Sequence, residues 1–358
     1  MQGGGAERVA ALLCNHWTAG GHQVMLVPTF SGRGQCWYSL NESVDLVYLA
    51  DRVNAVRKNA ITQAIRLLTM RRIIREFRPD VVVSFLSYVN IATILATCGL
   101  GIAVVVSERN YPPATPIGPL WDKLRKFTYP MAKAVVMQTE QGRDWLNRYS
   151  PKSNARVIAN PLVYPLPKTD PILNPERVVD KTKYIILAVG RLEWQKGFDL
   201  LLKAFSKIVN QFTGWDLVIL GEGSQRKNLE RQGKRLDISE SLHLPGKVGN
   251  LEDWYKRGDL YVLSSRFEGF PNALLEAMGH ALPPISFDCK TGPKDIIRHN
   301  KDGILVSLDK GSEGLARALN ALINKPDIRN RMSTASIDVR ERFAISKIAQ
   351  QWNNLLNL

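Results

Sequence analysis

The stretch VVVSFLSYVNIATILATCGLGIAVVVS, residues 81–107, decides the fold class of this chain. Its 27 residues carry no charge, so the stretch meets the length criterion for a transmembrane helix. Its content favours another structure, because two short β-branched runs flank a segment that contains Asn90, Thr93 and Thr97. Strands of a parallel sheet that are buried on both faces read as near-continuous apolar runs. The stretch therefore predicts a buried strand–helix–strand unit rather than a membrane span.

The same alternation continues on both sides of this unit. Strands are predicted at Gln23–Pro28, Val81–Phe85, Ala103–Ser107, Ala134–Gln138, Tyr184–Val189, Asp216–Leu220, Ser241–Leu244, Leu260–Ser264, Pro284–Phe287 and Ile304–Val306. Helices are predicted between them, for example at Phe198–Asn210 and Pro271–His280. Five prolines between residues 161 and 175 mark a boundary between two such series.

The pattern predicts an α/β fold with two doubly wound parallel-sheet domains that face one another across a cleft. The expected domains are residues 1–165 and 166–344. A last helix, predicted at 345–358, is expected to pack back onto the first domain.

The first domain departs from the pattern at its amino end. The chain opens MQGGGAER, and a glycine turn before a helix normally follows a strand directly. No strand precedes Gly3, Gly4 and Gly5, so the central first strand of the domain is missing from the pattern. We expect the true start to lie upstream, since the later strands follow in order; the alternative is a defective first domain.

The charge balance points to an anionic partner. The 358 residues include 48 Lys or Arg and 33 Asp or Glu, a net charge of +15. A surplus of this size suits nucleic acid, an acidic membrane surface or a phosphate-bearing substrate. The four cysteines (Cys14, Cys36, Cys98 and Cys289) have neither disulfide-framework nor zinc-site spacing, which favours a reducing compartment.

The segment VGRLEWQKG, residues 189–197, is a candidate phosphate site. It follows a strongly predicted strand, and Gly190 allows a close turn. Arg191 and Lys196 place two cations at the carboxyl end of a parallel strand, where ligands of such sheets bind. Two cations suit a diphosphate. The alternative is a solvated loop with incidental basic residues.

The segment SSRFEGFPNALLEA, residues 264–277, is a second candidate. Glu268 lies in a loop after a strand, and Pro271 is well placed to begin a helix. The free N–H groups of the first turn, around Asn272 and Ala273, could meet an anion or sugar oxygens. Glu276 lies in the same helix, so both carboxylates could border one cleft and accept from sugar hydroxyls. The alternative is two surface glutamates.

Several short motifs follow one another in an order that resembles a known enzyme family. They are GGGAER, GRLEWQKG, GEGSQR at Gly221–Arg226, the E-x7-E spacing of Glu268 and Glu276, TGPKDII and KDGILV. Together they resemble the retaining GT-B glycosyltransferases of glycosyltransferase family 4, from about Gly3 to Val306. The segments SFLSYVNIATILA and VVVSERN look most like the branch that builds polyprenyl-diphosphate-linked glycans and surface polysaccharides.

The resemblance implies an activity. Such an enzyme moves a hexose or N-acetylhexosamine from a nucleotide-sugar, most often a UDP-sugar, to a lipid-linked or polysaccharide acceptor with retention. The C-terminal domain would bind the donor and the N-terminal domain the acceptor. A lipid-diphosphate-linked glycan and an anionic membrane surface are the implied partners, at the inner face of the cytoplasmic membrane. No cofactor is implied beyond the nucleotide-sugar itself.

The resemblance also implies residue roles. Arg191 and Lys196 would hold the diphosphate, Glu276 the ribose hydroxyls and Glu268 the donor sugar. Further donor contacts are implied for Gly3, Gly4, Gly5, Gly190, Val248, Gly269, Phe270, Pro271, Asn272 and Ala273. Many relatives carry a His in the N-terminal domain where this chain reads Ser107-Glu108-Arg109-Asn110. Glu108 or Arg109 would occupy that place.

Metal-independent catalysis is expected. Many glycosyltransferases use a divalent metal ion, but no D-x-D tripeptide occurs in this sequence. Fixed cations and helix N-termini can stabilise the charge of a leaving nucleoside diphosphate by electrostatic preorganisation.

A basic helix is predicted before residue 78. Residues 52–78 carry eight Arg or Lys and one acidic residue, Glu76. A helical projection places Leu67, Met70, Ile73, Ile74 and Phe77 on one face, opposite Arg71, Arg72, Arg75 and Arg78. The arginine face is either a solvated back or a surface for anionic headgroups or a lipid diphosphate. A second basic cluster, expected to support membrane contact, combines Lys123, Arg125 and Lys126 with Trp121, Phe127 and Tyr129.

Other functions remain open from sequence. A nucleic-acid-binding protein needs a recognisable module, and none is readable. An NAD- or flavin-dependent oxidoreductase needs G-x-G-x-x-G, and GEGSQR lacks the third glycine. A catalytically silent GT-B homologue is the remaining alternative, because of the missing strand.

Overall fold

The computed structural model describes residues 4–30, 38–53 and 60–358, and the chain divides into two compact units. Unit 1 comprises Met1–Pro161 and Ile345–Leu358, and unit 2 comprises Leu162–Ala344. Gly3 and Cys36 lie outside the described residues, as do Arg57 and Lys58 of the basic segment 52–78.

The secondary structure alternates between strands and helices in both units. The strands are β1 (Val24–Leu26), β2 (Val44–Leu46), β3 (Val81–Phe85), β4 (Ala103–Ser107), β5 (Ala134–Met137), β6 (Ala155–Val157), β7 (Tyr184–Val189), β8 (Trp215–Leu220), β9 (Leu242–Gly246), β10 (Leu260–Leu263), β11 (Pro284–Asp288) and β12 (Ile304–Ser307). The helices are α1 (Gly5–Ala19), α2 (Leu49–Val53), α3 (Ala60–Phe77), α4 (Ser87–Thr97), α5 (Pro119–Thr128), α6 (Glu140–Tyr149), α7 (Phe198–Ser206), α8 (Arg226–Arg235), α9 (Leu251–Arg257), α10 (Asn272–Gly279), α11 (Pro293–Ile296), α12 (Gly311–Ile323), α13 (Pro326–Ser336), α14 (Val339–Arg342) and α15 (Ile345–Leu356).

The described residues of unit 1 form two parallel sheets. One has the order β3-β4-β5-β6, and the other is the pair β1-β2. Residues 81–107 form β3, α4 and β4, as their pattern predicts, and no described helix has the length and hydropathy needed to cross a bilayer. The core around β4 and β5 includes the fully buried Val106 and Val135, packed with Ile91 of α4.

Helix α15 packs within unit 1. The indole nitrogen of Trp17 in α1 donates to the Oδ1 atom of Asn353 at 2.8 Å, and Trp352 lies against Phe85 with ring centroids 6.1 Å apart. The end of the chain is therefore part of the first compact unit rather than of the second.

Unit 2 is a single six-stranded parallel sheet. Its order is β12-β11-β10-β7-β8-β9, with helices packed on its buried strands. Strand β8 is buried at every position, and β7 is exposed only at its first residue, Tyr184, and half-buried at its last, Val189. The predicted α/β fold class, with two domains built on parallel sheets, is confirmed.

The proline-rich segment is not a free linker. The amide of Thr169 donates to the carbonyl of Gly249 at 3.1 Å, and the amide of Gly249 donates to the carbonyl of Pro171 at 2.7 Å. The Leu166 amide donates to the Oε2 atom of Glu252 at 3.0 Å. These bonds tie residues 166–171 to the surface of unit 2, and the division between the units falls at Pro161.

Candidate active site

The strand order of unit 2 creates one topological switch point. From β7 the chain moves outward to β8 and β9 on one side, and then returns to β10, β11 and β12 on the other. Loops that leave neighbouring strands in opposite directions open a crevice at the carboxyl edge of such a sheet, and ligands bind there. The two loops at this point are residues 190–197, after β7, and residues 264–271, after β10. Both candidate segments from the sequence thus leave the sheet at its expected ligand site.

The two loops are bound to each other through their backbones. The amide of Arg266 donates to the carbonyl of Gln195 at 2.8 Å, and the side-chain amide of Gln195 donates to the carbonyl of Phe267 at 2.9 Å. The hydroxyl of Ser264 donates to the carbonyl of Lys196 at 2.8 Å. These three bonds hold the basic loop and the acidic loop in one arrangement.

Two glycines make this close packing possible. Gly197 has a φ of +63°, and a Cβ atom there would collide with the carbonyl of Ser264. Gly221, at the start of the GEGSQR motif, has a φ of +144°, and a Cβ atom would collide with the carbonyl of Gly190. Only glycine adopts a positive φ readily and also lacks the Cβ atom that would collide. The glycines of this motif therefore serve loop-on-loop contact inside unit 2.

The central feature of the site is a buried ion pair. The Nζ atom of Lys196 lies 2.6 Å from the Oε1 atom of Glu268, and the two side chains are 17% and 7% exposed. The hydroxyl of Ser265 donates to the same Oε1 atom at 2.5 Å. A charge taken out of water needs a partner and further hydrogen bonds. Glu268 has both, so its carboxylate is held in place.

The second carboxylate of the site is also buried and oriented. Glu276, in α10, is 4% exposed, and its Oε2 atom accepts from the Tyr255 hydroxyl at 3.1 Å. The Tyr255 ring stacks on His280 with centroids 5.4 Å apart, and the Nδ1 atom of His280 lies 2.8 Å from the Glu276 carbonyl. Burial, the largest cause, lowers the pKa of His280. Tyr255, stacked on His280, thus orients the Glu276 carboxylate.

Both carboxylates act on one buried group, the Tyr261 hydroxyl. Burial first, and then the negative charges of Glu276 and Glu268, raise the pKa of Tyr261 well above its usual value. Burial and the charge of Glu268 also raise the pKa of the Cys289 thiol to about 12. Glu268 and Glu276 therefore both lie near Tyr261.

The start of α10 presents backbone donors. Pro271 is the N-cap residue, and the amides of Leu274 and Leu275 donate to its carbonyl at 3.1 and 3.2 Å. Asn272 and Ala273 precede these bonds, in the part of a helix whose N–H groups have no intrahelical acceptor. Gly269 is half-buried just before the turn, and the neighbouring Phe270 packs on Phe343 with centroids 5.6 Å apart.

Arg191 and Val248 lie in the loops after β7 and β9, two strands that are separated by β8 in the sheet. Arg191 is exposed in the loop after β7, and its charge contributes to lowering the pKa of Glu193, although the larger causes are bonds from Ser224. Val248 is 7% exposed in the loop after β9. Among the described residues, no group of three His, Cys, Asp or Glu side chains could hold a metal ion.

In unit 1, Glu108 is committed to a buried network. Its carboxylate accepts from the Tyr129 hydroxyl and from the Ser87 hydroxyl at 2.8 Å, and Arg125 lies 3.7 Å away. Burial, the largest cause, raises the pKa of Glu108 despite these partners. These partners satisfy the buried Glu108 carboxylate without a bound ligand.

Arg109, the next residue, is a buried cation of a different kind. It is 7% exposed, donates to Asn160 and to the Ser107 hydroxyl, and lies over the Phe85 ring at 5.2 Å. Burial lowers the pKa of its guanidinium to about 9. No carboxylate pairs with it within the described part of the chain, and its Nε atom has no hydrogen-bond partner there. The side-chain oxygen of Asn160 is the acceptor of the Arg109 guanidinium.

Comparison with known families assigns both halves of the chain. The family model described as Glycosyltransferase Family 4 matches residues 3–162, and the model described as Glycosyl transferases group 1 matches residues 171–339. The chain belongs to the GT-B glycosyltransferases. The predicted family resemblance is confirmed.

Relatives of this glycosyltransferase span its whole length. It is 26% identical to the amylovoran biosynthesis glycosyltransferase AmsD of Erwinia amylovora, over 99% of this chain and 96% of that protein. It is 27% identical, with the same coverage, to a Campylobacter jejuni α-1,4-N-acetyl-D-galactosaminyltransferase named for a diNAcBac-PP-undecaprenol substrate that carries two GalNAc residues.

Solved structures share the fold. The crystal structure of Anabaena Alr3699/HepE in complex with UDP matches with a TM-score of 0.80 and 16% identity, over 99% of this chain and 96% of that one. A glycosyltransferase from Rickettsia africae matches with a TM-score of 0.82 and 17% identity, over 100% and 95%.

In the basic helix α3, the position of one residue differs from the prediction of the helical projection. Met70 and Ile74 are buried, as expected, and Arg72 and Arg75 are exposed. Arg71 instead lies at the end of α4, where its guanidinium donates to the carbonyls of Ala96 and Cys98 at 2.9 and 2.7 Å; its expected place on the exposed face was wrong. The last carbonyls of a helix attract a cation, so Arg71 caps α4.

The exposed face of α3 continues into an apolar stripe. Ile61, Ile65 and Leu68 are 71%, 40% and 65% exposed. With Arg72 and Arg75 they follow the spacing of one helical face. The helical projection predicted the arginines of this face but not the exposed Ile61, Ile65 and Leu68.

The second basic cluster is only partly a surface feature. Arg125 and Tyr129 are buried, so their expected membrane contact was wrong; Arg125 pairs with Asp122 and serves the Glu108 network. Lys123 and Lys126 remain exposed, with Leu120, Phe127 and Met131 exposed beside them at 68%, 70% and 47%.

Proposed function

We propose that the protein transfers a hexose or N-acetylhexosamine from a UDP-sugar to a lipid-diphosphate-linked or polysaccharide acceptor, with retention and without a metal ion. The observation that carries this proposal is the buried Lys196–Glu268 pair, 2.6 Å apart, at the switch point of unit 2. The names of the relatives support the acceptor class, since one acts in amylovoran biosynthesis and another on a glycan linked to undecaprenol diphosphate. UDP in the Anabaena structure supports the donor class.

Lys196 and Arg191 are proposed to hold the donor diphosphate. When the bond between the sugar and the β-phosphate breaks, the electron pair stays on the diphosphate, whose negative charge grows. Arg191 is exposed and able to bind phosphate oxygens bidentately, while Lys196 offers a point charge already fixed by its partner. Both cations are in place before the reaction, which is the arrangement that stabilises a developing charge best.

Glu268 and Glu276 are proposed to accept from the donor's hydroxyls. A carboxylate has several acceptor positions, so Glu268 can bond a sugar hydroxyl while it keeps Ser265. Glu276, oriented by Tyr255, is suited to the ribose in the same way. The backbone of residues 269–273 and Val248 would complete the donor site around sugar, phosphate and base.

Metal independence follows from the same charges. Lys196, which Glu268 fixes, the exposed Arg191 and the first turn of α10 are proposed to supply the positive potential that a divalent ion supplies elsewhere. Turnover should therefore persist in EDTA.

Unit 1 is proposed to bind the acceptor at the inner face of the cytoplasmic membrane. Exposed aliphatic and aromatic side chains next to Arg72, Arg75, Lys123 and Lys126 suit the boundary between acyl chains and anionic headgroups. Arg109, a buried cation without a carboxylate partner among the described residues, is the residue of unit 1 to which we assign contact with the reacting substrates. Glu108 is assigned a positioning role through its network.

Titration calorimetry with UDP tests the donor site. The wild-type protein should bind UDP in EDTA, and Glu276→Gln should weaken binding about tenfold or more by removing the charged acceptor. Glu240→Gln, a change at an exposed glutamate of unit 2, is the matched control and should bind as the wild type does. Equal UDP affinity in all three proteins would refute the assignment of Glu276.

Vesicle flotation tests the membrane surface. Vesicles rich in phosphatidylglycerol should carry the wild-type protein upward, and the pair Arg72→Glu with Arg75→Glu should lose most of this binding at low salt. The pair Arg148→Glu with Lys152→Glu makes the same charge change at exposed positions elsewhere in unit 1. Equal losses in both pairs would show a net-charge effect and contradict a specific surface.

A further inference from the structure

A cavity of about 250 Å³ lies between α7 and α8 of unit 2. The loop after β7 lines it through Glu193 and Trp194, and the start of α7 lines it through Phe198 and Asp199. The opposite wall is formed by α8 and by Gln225, the residue before it. None of the described residues assigned above to the donor lines this α7–α8 cavity, so it is a separate site.

Trp194 presents a fixed aromatic ring at the cavity. The residue is 61% exposed, yet its ring is held by the Arg266 guanidinium, which lies 4.5 Å from the ring centroid. Arg266 donates to the Trp194 carbonyl at 2.6 Å and to both carboxylate oxygens of Asp199 at 2.8 and 2.7 Å. Arg266 does not line the cavity, so it orients the ring without filling the space in front of it. An exposed ring that is already ordered loses little conformational entropy when a ligand packs on it.

The rest of the lining combines buried apolar side chains with polar side chains at the surface. Phe198 and Leu229 are 4% and 3% exposed. The polar lining residues of the α8 wall carry side-chain amides or guanidinium groups, and they are Gln225, Asn228, Arg231, Gln232 and Arg235. An amide offers donors and an acceptor together, and a guanidinium offers a fork of donors. Such a set suits a ligand that carries several hydroxyl groups.

The charges that line the cavity balance. Glu193 and Asp199 are acidic, and Arg231 and Arg235 are basic. The Ser224 amide and hydroxyl donate to the Glu193 carboxylate at 3.0 and 2.7 Å, and these bonds lower its pKa. The cavity therefore has no surplus of cations to attract a phosphate or a nucleotide, and its lining favours a neutral ligand.

A pyranose ring has the shape and the chemistry that this lining requires. Its C–H groups pack on an aromatic ring, while its hydroxyls donate to and accept from amides, guanidinium groups and carboxylates. Sites for drug-sized ligands have volumes of roughly 300–1,000 Å³, so a cavity of about 250 Å³ has room for a single sugar residue rather than a nucleotide-sugar.

We propose that the α7–α8 cavity is a second carbohydrate site, which binds one sugar residue of the acceptor glycan away from its reacting end. Trp194 packs on the C–H face of this residue, and the α8 wall, with Asn228 and Arg235, binds its hydroxyls. Trp194 and Lys196 lie in one helical turn, so the loop that carries a cation for the donor also carries the aromatic contact for the glycan. The assignment of the ligand to the acceptor rests on the proposed function, whereas sugar binding itself does not.

Saturation-transfer-difference NMR of the full-length protein tests the sugar site. The probes are the methyl α-glycosides of glucose, galactose, N-acetylglucosamine and N-acetylgalactosamine. At least one should bind, and Trp194→Ala should weaken its binding about fivefold or more, whereas Glu268→Gln should leave it unchanged. Binding of no probe, or binding that is lost in Glu268→Gln and kept in Trp194→Ala, would overturn the proposal.

A second variant tests the opposite wall of the cavity. Arg235→Ala, an exposed position of α8, should also weaken binding about fivefold. Lys234→Ala removes a neighbouring exposed cation that does not line the cavity, and it is the matched control. Equal sugar affinity in Arg235→Ala and Lys234→Ala would contradict a site between α7 and α8.

Turnover and UDP binding separate this proposal from the proposed function. Trp194→Ala should raise KM about fivefold more for a polyprenyl-diphosphate acceptor with a long glycan than for one with a single sugar. Equal KM changes for the two acceptors would contradict acceptor binding in the cavity. UDP binding by calorimetry without binding of any glycoside would overturn the second site alone. Glycoside binding that depends on Trp194, in a protein that does not bind UDP, would overturn the proposed function alone.

Discussion

Replacing Lys196 by alanine separates the two tasks that the structure gives this side chain. The change leaves the Glu268 carboxylate 7% exposed with the Ser265 hydroxyl at 2.5 Å and no cation at 2.6 Å. Breaking a buried pair by removing one partner costs about 3 kcal/mol. For a unit of this size that corresponds to a fall in Tm of about 6–12 °C. The loss of a transition-state donor should also lower kcat about 100-fold.

A double variant tells these effects apart. In Lys196→Ala with Glu268→Gln the uncompensated charge is gone, so most of the lost Tm should return, while kcat should stay at least about 100-fold low. Lys203→Ala, at an exposed position of α7, is the matched control for Tm and turnover. Differential scanning fluorimetry and UDP release provide the two readouts. Unchanged Tm and kcat in Lys196→Ala would refute the reasoning.

Three further predictions concern single residues. Arg191→Ala should lower kcat about 100-fold with Tm within about 1 °C of the wild type, because Arg191 is exposed; a large fall in Tm would contradict a pure ligand-binding role. Gly197→Ala should destabilise by at least about 1–3 kcal/mol in urea unfolding, because of its φ of +63° and the clash with the Ser264 carbonyl, whereas Gly214→Ala has open space around its Cβ and should be tolerated. Burial lowers the pKa of His280 below its unfolded value, so the unfolded state binds the extra proton and wild-type stability should fall as pH drops through about 6.5. His280→Phe should flatten the dependence of Tm on pH between 5 and 7, and an unchanged slope would exclude His280 as its source.

Long apolar strands could be read from the sequence, and short edge strands could not. The β-branched runs at Val81–Phe85, Ala103–Ser107 and Tyr184–Val189 match β3, β4 and β7, since buried parallel strands impose that composition. Strands β2 and β6, which read Val-Asp-Leu and Ala-Arg-Val, were missed. Three residues with a charge in the middle carry no periodic signal, and neighbouring strands decide their conformation.

The candidate donor-site side chains could be named from the sequence, but the residues that orient them could not. Glu268 and Lys196 were assigned to neighbouring roles without any indication that they pair directly. Tyr255 and Ser265, which orient the carboxylates, lie in no recognisable motif. Which residues contact Glu268 and Glu276 depends on which strands are neighbours in the sheet, and only the tertiary structure shows that.

Charged residues were the least predictable, because a helical projection shows a direction but not a neighbour. Arg71 and Arg125 were expected at the surface. Arg71 instead caps α4, and Arg125 neutralises the buried Glu108. Each compensates a buried acceptor that sequence alone does not reveal.

The most direct test of the central claim is proton NMR of the full-length protein with a panel of UDP-hexoses and UDP-N-acetylhexosamines in EDTA, together with a polyprenyl-diphosphate-linked glycan acceptor. The account predicts that one α-linked donor is consumed and that the new glycosidic bond is α, with UDP released in equal amount. A β-linked product, strict dependence on Mg²⁺ or Mn²⁺, or no turnover of any donor in the panel would contradict it.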